Sequence, residues 1–147
     1  MSDLDGSVEG TQGAAGTIEV TFSLTNVSPS VCVMSGYPGA LLLGIDGSQL
    51  PTVARRGGTL SFENIPVSTV SIAAGESAWF NVGYSEVPVN PETSCPTSKA
   101  LEITPPNDTQ QLVVSVQIEA CDGGLLNESP VFGPGNRATE TTAPPSH

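Results

Sequence analysis

Basic residues are scarce in this sequence. Four Lys or Arg stand against 15 Asp or Glu, and the formal net charge is −11. Because nucleic-acid binding relies on basic side chains that neutralise phosphates, the composition argues against a nucleic-acid partner. It disfavours adsorption to an anionic membrane surface for the same reason. The carboxylates are dispersed along the chain, which is typical of a solvated surface that keeps a domain in solution.

Long apolar runs and helical patterns are also missing. The longest apolar segment, residues 40–45, is much shorter than the ~20 residues of a membrane-spanning helix, so no membrane span is predicted. The start, Met1–Asp3, is polar and does not resemble a signal peptide. This leaves either a cytosolic protein or one whose leader precedes residue 1. The three cysteines favour the second, a secreted or extracytoplasmic protein.

Residue types that carry catalysis are equally rare. The single histidine is His147, and the sequence contains no Gly-x-Ser-x-Gly motif. A carboxylate pair for glycoside hydrolysis could be drawn from residues such as Glu63, Glu76 and Glu86, but no spacing singles out a pair. We therefore predict no catalytic residue, no cofactor and no metal site, and a protein that is not an enzyme.

What the sequence does contain is short alternating segments separated by 16 glycines and 13 prolines. Residues 17–25 and 77–84 alternate with the period of a half-buried strand. The apolar run 40–45 predicts a strand buried on both faces, and Arg55 and Arg56 are placed in an exposed loop. About nine short antiparallel strands are expected. The predicted fold class is all-β, an immunoglobulin-like two-sheet sandwich.

The composition changes near the end of the chain. From residue 133 onward Gly, Pro, Thr, Ser and Ala dominate without apolar periodicity. We predict a single β-sandwich domain over residues 1–132, followed by a disordered tail or linker stub over 133–147.

One turn stands between two predicted strands. The turn consists of Gly36, Tyr37, Pro38 and Gly39. Glycine and proline favour a chain reversal, and Tyr37 supplies one large amphipathic side chain. We predict a structural turn between strands of opposite sheets, in which the Tyr37 ring covers the end of the core and its hydroxyl bonds a backbone group. The alternative is that Tyr37 is exposed and contacts a ligand.

The cysteines are odd in number. Cys95 precedes one strand of a predicted hairpin and Cys121 follows the other, and their midpoint falls in the turn at residues 105–110. A hairpin folded about that turn brings the two within disulfide distance. Metal binding by the thiols is the competing hypothesis, but the sequence has no Cys-x-x-Cys pair. Cys32 is left over, either as a free buried thiol or with a partner near the N-terminal edge.

Two aromatic residues form a candidate binding surface. Trp79 and Tyr84 lie near the two ends of one predicted strand, one at an odd-numbered position and the other at an even-numbered one. They could present an aromatic patch to a polymer or to a protein partner. The alternative is that one belongs to the core and the other is merely half-covered.

Several motifs together resemble a secreted actinobacterial domain family of unknown function, found in lipoproteins and exported proteins of mycobacteria and streptomycetes. Its signature runs Thr-Asn, then Cys-x-Leu-x-Gly-Tyr-Pro-Gly and an apolar strand. The matching segments are Thr25-Asn26, Cys32–Gly39, Ala74–Ala78 with Phe80, Cys95, Leu101–Pro106, Ala120–Gly124 and Ser129–Val131. The family usually has a fourth, N-terminal cysteine that this chain lacks, which implies an unpaired Cys32.

The resemblance implies a fold and a compartment, and it implies no chemistry. We expect a non-enzymatic interaction or sensor module at the cell envelope that acts as a monomer on an unknown protein or envelope polymer. Two alternatives remain: a cell-wall-polymer hydrolase that uses paired acidic residues, and a structural spacer of an envelope lipoprotein.

Overall fold

The computed structural model describes residues 4–14, 16–56, 65–107 and 110–133. These residues form ten β-strands. Their bounds are β1 (Leu4–Ala14), β2 (Thr17–Asn26), β3 (Cys32–Ser35), β4 (Gly39–Leu43), β5 (Val53–Arg56), β6 (Thr69–Ile72), β7 (Ser77–Ser85), β8 (Ala100–Thr104), β9 (Leu112–Ser115) and β10 (Leu125–Glu128). Among these residues no helix has the length and apolarity needed to cross a membrane.

The strands form one large sheet and two small ones. The large sheet has the order β1-β2-β7-β10-β5, and the small sheets are β3-β6 and β4-β8-β9. One buried core joins side chains from all three sheets. The all-β sandwich predicted from the sequence is therefore confirmed, with ten strands instead of about nine and with three sheets instead of two.

The centre of the large sheet follows directly from the alternating sequence. β2 and β7 pair antiparallel over nine positions, from Thr17 opposite Ser85 to Thr25 opposite Ser77. Phe22 and Phe80 lie opposite each other, fully buried, with ring centroids 5.3 Å apart. Such an aromatic pair adds about 1 kcal/mol beyond the burial of its area. The polar residues between the buried ones necessarily face the other side of the sheet.

The expectation that every strand pair is antiparallel is wrong at one edge of the large sheet. β5 pairs parallel with β10, while β10 pairs antiparallel with β7. Arg55 and Arg56 therefore belong to an exposed edge strand and not to a loop. β10 itself was missed because two of its four residues, Asn127 and Glu128, are polar although they are buried.

Other boundaries shift for physical reasons. The strand expected at 40–45 is β4, and Leu42 is its only buried side chain, because β4 is an edge strand. β9 ends at Ser115, and beyond it the Ser98 hydroxyl donates to the carbonyl of Val116 and accepts the N–H of Ile118. At residues 130–132 there is one bridge, between Phe132 and Trp79. Residues 57–64 and the predicted tail from 134 onward lie outside the described residues.

The predicted disulfide is present. Cys95 and Cys121 are bonded, with Cα atoms 5.2 Å apart, across the base of the β8–β9 hairpin. Cys32 is a free, buried thiol on β3. In the chain-entropy model, closing a loop of 26 residues stabilises the fold by about 3 kcal/mol.

The turn at residues 36–39 connects two different small sheets, because β3 pairs with β6 and β4 pairs with β8. Gly36 has φ of 106°, a conformation open mainly to glycine, and its carbonyl accepts the N–H of Val131. Pro38 is buried and Tyr37 is half-buried. The guanidinium carbon of Arg56 lies 5.4 Å from the Tyr37 ring centroid. The structural role of Tyr37 stays a prediction, with this cation–π contact as a further feature of the turn.

Candidate functional site

The outer surface of the large sheet is a continuous band of polar side chains, which we call the polar face. It comprises the outward-facing residues of β1, β2 and β7, among them Ser7, Gln12, Glu19, Thr21, Ser23, Thr25, Ser77 and Asn81. Several of them are nearly inaccessible to solvent, since Glu19, Ser23 and Asn81 are 5–8% exposed. Buried polar groups need partners, so the hydrogen bonds across this face indicate how it is built.

Side chains on neighbouring strands of the polar face are joined by hydrogen bonds. The pairs are Ser7–Ser23 at 2.7 Å, Thr25–Ser77 at 2.7 Å, Thr21 Oγ1 to Asn81 Oδ1 at 2.7 Å, and Gln12 Nε2 to Glu19 Oε1 at 3.2 Å. Cross-strand pairs of this kind each contribute roughly 0.2–1 kcal/mol and fix the rotamers of both partners. The face is therefore a pre-organised surface and not a set of independent mobile side chains.

A β-bulge in β1 breaks the regular alternation at this face. Val8 lies opposite Phe22 and Gly10 lies opposite Thr21, so Glu9 is one extra residue in β1 relative to β2. A bulge bends its strand and re-aims the side chains around it. Gly10 follows on the outward side of the strand, and a Cβ added to it would meet no atom within 4 Å.

The bulge and the glycine together leave a depression that we call the β1 groove. It has a volume of about 260 Å³ and is lined by Glu9, Gly10, Thr11, Gln12 and Thr21. Gly10 contributes no side chain, and this absence opens the floor of the groove. The groove is open to solvent, as a surface binding site for part of a larger ligand would be.

Trp79 adjoins the β1 groove. Its indole N–H donates to Glu9 Oε1 at 3.4 Å, so the side chain reaches from β7 across β2 toward β1. Its ring packs against Phe132 with centroids 6.3 Å apart, and the two residues form a β-bridge through their backbones. Trp79 is half-buried. This position agrees with a role at a binding surface.

Tyr84 does not share that surface. Its side chain is 4% exposed and belongs to the hydrophobic core. Burial, together with the charges of Glu86 and Glu119, raises the pKa of its hydroxyl to about 12. The candidate surface of Trp79 plus Tyr84 is therefore wrong, because residues five apart on one strand face opposite sides of the sheet.

Glu19 is the carboxylate most removed from solvent on the polar face. Burial raises its pKa, and the hydrogen bond from Gln12 offsets part of that rise. Among the described residues, the donor at this carboxylate is the neutral amide of Gln12.

A second buried acid lies on the core side of the sheet. Glu128 is 1% exposed and lies opposite Val82, a core residue. Burial raises its pKa to about 8, and the charge of Arg56 on the adjacent strand offsets part of the rise. Its Oε2 is buried and has no hydrogen-bond partner among the residues that the structure describes. No motif in the sequence marks Glu128 as a buried residue of β10.

One group of residues has the spacing of a metal site. Glu92, Cys95 and Cys121 offer ligand atoms within 4.8 Å of one another. The two sulfur atoms are bonded to each other, however, so neither is a thiolate ligand. The Glu92 carboxylate accepts the backbone N–H groups of residues 89, 122 and 123, and these bonds lower its pKa. The group is a structural clamp that ties the loop at 86–96 to the disulfide.

The acidic residues considered for hydrolysis do not come together. Glu76 is exposed, and its carboxylate accepts the N–H of Ala73 within the same turn. Glu86 is exposed beyond the end of β7, and Glu63 lies outside the described residues. The described part of the chain thus gives the hydrolase alternative no carboxylate pair drawn from these three.

The geometry defines a disulfide-closed β-sandwich with a pre-organised polar sheet face and a groove at its edge. The chain belongs to the family described as Domain of unknown function (DUF4232), whose model matches residues 1–132. No curated protein and no solved structure matches the chain significantly. The match supports the resemblance to a family of unknown function, and it assigns no activity.

Proposed function

We propose that this domain is a non-catalytic binding module of an actinobacterial cell envelope, and that it binds its ligand on the polar face at the β1 groove. The observation that carries the proposal is the groove itself. A bulge re-aims Glu9, a glycine opens the floor, and hydrogen bonds fix Gln12 and Thr21 beside it. Such construction is expected of a surface used for recognition.

Two further features support the compartment and the absence of catalysis. The Cys95–Cys121 disulfide is typical of proteins that fold in an oxidising environment, outside the cytoplasm. The lining of the groove offers hydroxyl, amide and carboxylate groups, but no histidine, cysteine or lysine. It thus lacks the usual partners of an activated nucleophile.

The test is co-sedimentation with the washed envelope fraction of the producing organism. Wild-type protein is compared with Gly10→Val, which places a branched side chain on the groove floor, where an added Cβ meets no neighbour. The matched control is Ser115→Val, which adds the same side chain at an exposed position of β9 in another sheet.

We expect wild type and Ser115→Val to sediment with the envelopes, and Gly10→Val to remain in solution. All three should share one melting temperature to within a few degrees. Equal sedimentation of all three proteins would show that the groove is not the binding site. If none sediments, the spacer alternative replaces the binding module.

A further inference from the structure

We infer that the β1 groove binds a sugar unit of an envelope polysaccharide that carries free vicinal hydroxyl groups, that is, an uncharged ligand rich in hydroxyl groups. The inference rests on the proposed function and adds the chemical class of the ligand. Three properties of the groove support the inference. They are the hydrogen-bonding character of its lining, the sign of its charge, and its size together with the neighbouring Trp79 indole.

The lining is rich in hydrogen-bond acceptors. The hydroxyl hydrogen of Thr21 is directed to Asn81 Oδ1, so the Thr21 oxygen meets a ligand as an acceptor. The amide nitrogen of Gln12 donates one of its two N–H groups to Glu19, and its carbonyl oxygen is a further acceptor. Glu9 contributes a carboxylate to the same groove. A ligand that complements these groups must bring donors, and hydroxyl and ammonium groups are the two common ones.

The charge of the site excludes anions. Glu9 and Glu19 are acidic, the lining residues include no Lys or Arg, and the whole chain carries −11. A phosphate or carboxylate ligand would be repelled by this field. A polar lining of Thr, Gln and Glu also gives an apolar chain, such as a lipid tail, nothing to pack against.

Hydroxyl donors fit better than an ammonium group. The two acidic side chains already accept neutral N–H donors, from Trp79 to Glu9 and from Gln12 to Glu19. The acceptors are thus arranged for neutral donors.

Size and shape point to one ring of a longer chain. A groove of about 260 Å³ is slightly smaller than the pockets that enclose drug-sized ligands, and it is open to solvent. The half-buried indole of Trp79 adjoins it, next to Glu9. An indole combines an apolar body with a polar N–H, as a ligand with C–H faces and hydroxyl edges requires.

The experiment uses the envelope sedimentation assay with three treatments of the envelopes. One portion is oxidised with periodate, which cleaves vicinal diols of sugars, and is then reduced with borohydride. A second portion is digested with protease and washed. The third is left untreated and is assayed at low salt and at high salt.

We expect periodate to abolish sedimentation of wild type, and protease to leave it unchanged. Apparent affinity should change less than about threefold between low and high salt, because an uncharged ligand makes no screened ion pair. Gly10→Val should bind at least about tenfold more weakly than Ser115→Val to untreated envelopes.

Retention of binding after periodate would overturn the sugar assignment. If protease then removes it, the ligand is a protein, and the proposed function stands while this inference fails. A loss of more than about tenfold at high salt would identify a cationic ligand and overturn the inference in the same way. Absence of binding to untreated envelopes would refute the proposed function itself.

Discussion

Replacing Glu128 by glutamine should abolish most of the pH dependence of folding stability between pH 5 and pH 8. The carboxyl is 1% exposed, and burial raises its pKa from the ordinary 4.5 to about 8. Between pH 4.5 and about pH 8, the Glu128 carboxyl keeps its proton in the folded state but has lost it in the unfolded state. The free energy of unfolding must therefore fall as pH rises through this window, and the contribution of this group is constant below pH 4.5.

The magnitude follows from the two pKa values. Each pH unit between them is worth about 1.4 kcal/mol, so the full effect from pH 4.5 to pH 8 is about 5 kcal/mol. That is comparable to the whole stability of a small domain, so wild type should melt markedly lower at pH 8 than at pH 5. Glutamine has nearly the shape of the protonated acid and no ionisable proton. Glu128→Gln should thus match wild type within about 1 kcal/mol at pH 5 and exceed it at pH 8.

The assay is urea unfolding at pH 5, 6, 7 and 8, in buffers of constant ionic strength. Glu92→Gln is the control, because backbone hydrogen bonds lower the pKa of Glu92 and its titration lies below the window. It should lower stability about equally at all four pH values. Arg56→Gln removes the charge that favours ionised Glu128, so it should steepen the fall toward pH 8. If Glu128→Gln keeps the wild-type slope, Glu128 is not a buried neutral acid.

Three other predictions concern stability. Replacing both cysteines of the Cys95–Cys121 bridge by serine should lower the free energy of unfolding by about 3 kcal/mol. Peptide mapping of the unreduced wild type should find the segments of Cys95 and Cys121 joined, and a link from either to Cys32 would contradict the pairing. Gly124→Ala should cost more than about 3 kcal/mol, because φ is +83° and the added Cβ would collide with a backbone carbonyl. Gly123→Ala, at φ of +72° with open space around it, should cost only about 1 kcal/mol, and equal melting of the two variants would refute the steric argument. Tyr37→Ala should lower the free energy of unfolding by about 2 kcal/mol, because it removes a half-buried ring, and Tyr37→Phe should lower it clearly less. If Tyr37→Ala melts like wild type, the result favours the alternative that Tyr37 contacts a ligand.

The alternation of apolar and polar residues made the centre of the large sheet predictable from the sequence. Segments 17–25 and 77–84 have apolar residues at every second position, and these became β2 and β7 with their predicted faces. The disulfide was predictable because the hairpin lies almost symmetrically between its cysteines: Ala100 pairs with Ser115. Local patterns of this kind need no knowledge of distant contacts.

The site was not predictable in the same way. Glu9 reaches the groove only because a bulge shifts the register after Val8, and register is a property of the strand pair. The one signal in the sequence was Gly10, a glycine inside a strand, which often marks a bulge. Glu128 was overlooked because a core glutamate contradicts every burial preference, and its neighbours in the sheet come from distant parts of the chain.

The contact between Trp79 and Glu9 has a practical consequence. Trp79 is the only tryptophan in the chain, so all of the indole fluorescence originates beside the β1 groove. The wavelength and intensity of that emission depend on the polarity and the charges around the ring. The protein thus contains its own optical probe at the proposed site, and stopped-flow fluorescence can follow the arrival and departure of a ligand without any attached label.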